Sequence, residues 1–185
     1  MFRRFATVLV LAGTAWFAAP QRGAAQNSFL TPLKTQWDST RTLLTGIASQ
    51  VPEDKYDFKP TPEVRSFREQ LTHLVGENSR FMALAAGEQP PVEMSKIDSL
   101  KGRDEILKAL ADSYEYGAKV WTTMDDKKAV EMVAGFGGRQ QMRWAPILLN
   151  IVDNMDHYGN LVVYLRLNGV VPGRTAAQQQ RQPQK

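Results

Sequence analysis

From Ile147 to Pro172 the chain reads ILLNIVDNMDHYGNLVVYLRLNGVVP, and this stretch admits one long helix and little else. Pro146 suits a first helical position, where its missing N–H goes unused. Gly169 fits the left-handed position just past a helix end, and Pro172 bars resumption. Leu148, Ile151, Val152, Met155 and Val162 recur at three- and four-residue spacing and predict a core-facing stripe. Leu161 to Leu167 is apolar at nearly every position, which predicts burial on more than one side. Asp153 and His157, one helical turn apart, share a face. Asn160 and Tyr164 project the same way, roughly opposite the stripe. A solvated surface has that pattern, and so has the wall of a polar site.

Three more stretches carry a helical period. Asn27 to Gln50 aligns Phe29, Leu33, Trp37, Thr40, Leu44, Ile47 and Val51, with Ser28 or Thr31 as cap. Ser66 to Ala86 aligns Phe67, Leu71, Leu74, Val75, Phe81, Met82 and Ala85, and is stopped between Gly87 and Pro91. Arg103 to Met124 aligns Ile106, Leu107, Leu110, Tyr114, Ala118 and Trp121. The proline-rich run Val51 to Arg65 predicts an extended linker with Tyr56 and Phe58 pinned against the helices. Ala129 to Phe136 reads as a short strand or hairpin arm. Gly135-Phe136-Gly137-Gly138 is a turn, because it follows no strand–helix unit of phosphate-binding type. Coil is expected from Val170 onward, with a disordered tail over 173–185. The sum is an all-α four-helix bundle with long connections after the first and third helices.

The chain has 185 residues, 43% hydrophobic and 23% charged, ordinary for a single domain. Its first residues read as a secretory signal: Arg3 and Arg4, an apolar run from Ala6 to Ala19, then Gly23-Ala24-Ala25. That run, about fourteen residues, is short of the roughly 20 that span a bilayer. The expected organisation is a signal peptide over 1–25, cut after Ala25, the bundle over 26–172, and the tail. A retained N-terminal anchor is the other reading. Either way the protein is expected to be exported, periplasmic or secreted, with no membrane span after cleavage. No cysteine is present, which excludes disulfides, a thiolate nucleophile and thiolate ligands. The formal charge of +4 includes Arg3, Arg4 and Arg22, and removing those three leaves +1. No basic cluster is interleaved with aromatics, so no nucleic-acid partner is expected.

The two histidines, His73 and His157, fall on the second and fourth helices, each with a carboxylate one turn away, Glu77 and Asp153 respectively. Bundles build metal sites from such inward side chains on facing helices. Two unrelated surface histidines would give the same spacing. His73 lies on the flank of its helix, with Gln70 and Glu77.

The runs YDFKPTPEVRSFREQLTHLVGENSRF and DNMDHYGNLVVYLRLNGVVP resemble the DinB-like family of metal-dependent bundle proteins, over most of Phe29 to Pro172. The resemblance implies a four-helix bundle. It implies a metal site of one histidine from the second helix and a His-x-x-x-His pair on the last. The first position falls on His73, the last on His157 and the middle one on Asp153, a departure from the pattern. Asp is itself a competent ligand, so a divalent ion, zinc, nickel, iron or manganese, is expected on His73, Asp153 and His157. Glu77 is a supporting or substitute ligand, and Tyr158 and Tyr164 either close a pocket or pack the bundle. Known relatives include thiol-using transferases and isomerases, so the resemblance implies a metal-dependent hydrolase or transferase acting on a small molecule. The alternatives are a non-catalytic metal- or ligand-binding bundle and a structural dimerisation module with a vestigial site. A homodimer is the expected assembly.

Overall fold

A computed structural model describes residues 29–181; the signal segment 1–25, the capping candidate Ser28 and residues 182–185 of the expected tail lie outside them. Four long helices form the body: α1 (Leu30–Ala48), α2 (Phe67–Ala86), α4 (Arg103–Thr122) and α6 (Trp144–Leu167). Between them lie α3 (Met94–Asp98), α5 (Asp126–Ala129) and a hairpin of β1 (Met132–Ala134) and β2 (Gln140–Met142), and α7 (Gly173–Gln180) follows. The hairpin is antiparallel, with Val133 opposite Gln141, and Gly137 and Gly138 turn it at positive φ. No helix among the described residues is long and apolar enough to cross a membrane.

Both α1 and α2 pack on α4 and α6, so α1 and α2 occupy one diagonal of the bundle and α4 and α6 the other. The chain therefore crosses a diagonal twice, from α1 to α2 and from α4 to α6. These are the two connections that the sequence reading expects to be long. The first is anchored by Tyr56 and Phe58: Tyr56 is buried against Phe67 with ring centroids 5.5 Å apart, and Phe58 meets the Tyr164 ring edge-on at 6.2 Å.

Local signals fix the helix ends. At the start of α2, Ser66 Oγ accepts the Glu69 N–H at 3.2 Å and Glu69 Oε2 accepts the Ser66 N–H at 2.6 Å, a reciprocal capping box. Gly87 ends α2 in the left-handed conformation, φ 75°. The start of α1 is served from a distance: the Leu30 N–H donates to Asp126 Oδ1 on α5 at 3.1 Å, in place of the Thr31 cap the sequence predicts. Gly117 on α4 has a packing reason, since a Cβ there would stand 2.5 Å from Trp37 Cζ2.

Two expectations are corrected. The core face of α6 is not the apolar stripe read from the sequence. Leu148 and Val152 are 37% and 58% exposed, while Ile147, Asn150, Ile151, Asn154, His157 and Leu161 are buried. The helix is rotated because its inner face carries a polar network. Asn78 Oδ1 accepts from Asn150 Nδ2 at 2.9 Å and from Asn154 Nδ2 at 2.8 Å, and Asn78 Nδ2 donates to Ser113 Oγ at 3.1 Å. Trp37 Nε1 donates to Asn150 Oδ1 at 3.2 Å, and the Tyr114 hydroxyl to Asn154 Oδ1 at 3.1 Å. All four long helices are joined, and none of these side chains is left without a partner, the condition for burying polar groups in a core. The second correction is the tail: Gly173–Gln180 is helical where coil is read. Its Ala-Ala-Gln-Gln-Gln run has high intrinsic helix propensity after Pro172, although none of its residues is buried.

Asn78→Ala strands the Asn150 carboxamide donor and opens a void. The expected loss is about 3 kcal/mol of unfolding free energy, read from the urea midpoint at unchanged m-value.

Candidate metal centre

Two helices supply the site. His73 is on the flank of α2 and half-buried; Asp153 and His157 lie one turn apart on α6, and His157 is buried. The polar network sets the register that brings them together, since Asn78 lies five residues beyond His73 on α2 while Asn150 and Asn154 flank Asp153 on α6. One ligand atom from each of His73, Asp153 and His157 falls within 4.8 Å of the others. His157 Nε2 stands 3.7 Å from Asp153 Oδ1, and the two imidazoles meet edge-on with centroids 4.8 Å apart.

A chain of hydrogen bonds orients His157. Its Nδ1 lies 2.5 Å from Gln70 Oε1, Gln70 Nε2 donates to the Tyr164 hydroxyl at 3.3 Å, and that hydroxyl donates to the Arg65 carbonyl at 2.7 Å. With the Gln70 amide nitrogen committed to Tyr164, its oxygen faces the ring and His157 Nδ1 is the donor. The lone pair is thereby left on Nε2, towards Asp153, as a ligating imidazole requires. The Tyr164 role read from sequence as pocket or packing is both at once. Gln70 was visible only as a neighbour on the flank of the His73 helix; an amide three residues before a histidine carries no signal of its own.

Electrostatics favour a bound cation. Burial pushes His73 and His157 down, and the Arg65 guanidinium pushes them further, so both are held neutral near pH 7. Burial raises Asp153 against the opposing pull of His73 and Arg65, and burial and Asp153 together raise Glu77. Asp153 Oδ2 is buried with no hydrogen-bond partner among the described residues. A desolvated carboxylate oxygen without a donor, beside two imidazoles with free lone pairs, is a donor set that fits a divalent transition ion. Glu77, half-buried one turn from His73, stays outside the three-residue group. Tyr158 packs partly buried against the core.

A family model described as the DinB superfamily matches residues 36–161. Among solved structures, the chain is similar to a DinB-like protein from Bacillus cereus ATCC 10987, at 13% identity and a TM-score of 0.66 over 76% of this chain and 93% of that one. A DinB-like protein from Bacillus subtilis is similar at 19% identity and a TM-score of 0.60, over 75% and 92%. A mycothiol-dependent maleylpyruvate isomerase is similar at 14% identity and a TM-score of 0.57, over 71% of this chain and 60% of that one. At these identities the likeness is one of fold. No match was found among curated proteins.

Without a cation to offset it, each charge in the centre carries its own cost to the fold. His73 and His157 take up protons less readily folded than unfolded, so stability falls as pH drops below the ordinary histidine value of 6.5. Asp153 and Glu77 take them up more readily folded, so stability also falls as pH rises above the ordinary values of 3.8 and 4.5. Asp153→Asn is therefore expected to raise the melting temperature of chelator-stripped protein at pH 7 and to remove the stabilisation that added metal gives the parent, both read by scanning calorimetry.

Proposed function

The chain belongs to the DinB superfamily, and we propose that it is a metal-dependent protein, exported by its signal-like N-terminal sequence, whose His73, Asp153 and His157 hold one divalent transition ion, zinc, nickel, iron or manganese. The observation that carries this reading is the buried, unpartnered Asp153 oxygen beside two imidazoles, that of His157 oriented by Gln70. The activity is a hydrolase or transferase reaction on a small molecule. The ion would supply Lewis acidity, polarising a carbonyl or lowering the pKa of a water or thiol brought to it. Gln70 holds the Nδ1 proton of His157 and so keeps Nε2 as the ligating atom. The similar isomerase is described as mycothiol-dependent. In a chain without cysteine, a thiol in the reaction would have to come from a small molecule as well.

Plasma mass spectrometry on tag-free protein tests the centre. One equivalent of a single transition metal is expected in the parent, lost in His73→Ala and His157→Ala. A parent that holds none after reconstitution sinks the reading and leaves a ligand-binding or structural bundle.

Homodimerisation belongs to the same proposal. Leu148, Val152 and Leu167 are exposed on one face of α6, an apolar stripe that a second copy would cover. Light scattering at micromolar concentration is expected to give the dimer mass, reduced to that of the monomer by Leu148→Glu with Val152→Glu.

A further inference from the structure

Beside the centre, the end of the α1–α2 connection, the first turn of α2 and the C-terminal half of α6 border an open hollow of about 550 Å³. Its lining includes Glu63, Arg65, Gln70, Asn160, Val163 and Tyr164. Gln70 and Tyr164 thus serve two places, since the same pair orients His157. The position of Arg65 is fixed through its backbone: its carbonyl accepts the Tyr164 hydroxyl at 2.7 Å, and the next residue, Ser66, is the N-cap of α2. Its side chain is not committed. Arg41, Arg68, Arg103 and Arg143 each hold a carboxylate, at Glu115, Asp57, Asp104 and Glu131. Among the described residues the Arg65 guanidinium makes no ion pair and no hydrogen bond, and it stands exposed at the hollow.

We propose that Arg65 is the specificity residue of the site and that the hollow takes the carboxylate of a small monocarboxylate substrate, held by the guanidinium with its reacting end towards His73, Asp153 and His157. This rests on reading those three residues as the reacting centre. A guanidinium presents paired N–H donors that match the two oxygens of a carboxylate. The hollow favours a single negative charge. Among the described residues that line it Arg65 is the one cation, and Glu63, which a hydrogen bond from Thr61 holds ionised, shares that lining. A phosphate dianion would meet Glu63 with only one cation to offset it. Asn160 and Gln70 offer neutral amides to the polar groups between the carboxylate and the reacting end.

The test is titration of the full protein, metal-free and zinc-loaded, with butyrate and with inorganic phosphate, followed through the backbone amide resonances of Asn160 and Val163. Saturable shifts are expected with butyrate, and phosphate is expected to bind more weakly. Arg65→Gln keeps the carbonyl that Tyr164 uses, and it is expected to weaken butyrate binding at least about tenfold while Arg65→Lys retains part of it. The metal content of Arg65→Gln is expected to equal that of the parent. Undiminished butyrate binding in Arg65→Gln, no saturable binding in the parent, or tighter binding of phosphate overturns the proposal. A parent that takes up no metal yet loses butyrate binding on Arg65→Gln overturns the metal reading and upholds the carboxylate subsite.

Discussion

One carboxamide sets the geometry of this bundle. Asn78 Oδ1 receives donors from both Asn150 and Asn154, and through them the network reaches Trp37 on α1, Tyr114 on α4 and Ser113 beside it. Apolar packing is tolerant of small rotations and slides, because one methyl can replace another at a similar energy. A buried amide is not, since a shift that separates it from its partner leaves a desolvated group unpaired. The network therefore selects one rotation of α6 and one register of α6 against α2. The candidate metal centre uses the same two helices and inherits that register.

How much of this was legible in the sequence depends on which physical signal each part leaves. Helix existence was, because apolar residues at helical spacing flag α1, α2 and α4, and Ser66, Gly87 and Pro172 mark ends by local chemistry. The juxtaposition of His73, Asp153 and His157 came from family resemblance; spacing alone supplied only the pairing of Asp153 with His157 on one face. The orientation of α6 was misread for a physical reason. An apolar stripe marks the core only when polar residues stay outside, and here Asn150 and Asn154 go in while Leu148 and Val152 go out. Nothing in the sequence declares that an asparagine has a partner on another helix. The same holds for Gln70 and Arg65, whose roles come from contacts between the α1–α2 connection, α2 and α6. The short helices α3 and α5 went unread because so few residues leave no usable period.

The centre joins two requirements that pull against each other. Burial keeps the histidines neutral and ready to ligate, and the same burial makes the Asp153 charge unfavourable until a cation answers it. The side chains that define the site are thus among those the empty fold would be better without, a common mark of residues kept for what they bind.

The diagonal placement of consecutive helices has a kinetic side. α2 and α4 are neighbours in space and follow one another among the long helices, joined through α3, so their contacts close smaller loops than those of α6 with α1. α6 reaches its place only after the chain has passed α5 and the hairpin, and it then completes contacts with both α1 and α2. His73 lies on α2, while Asp153 and His157 lie on α6, the last long helix in the chain. The ligand set exists only where α2 and α6 are packed together, so an ion held there would report that this long-range pairing has closed.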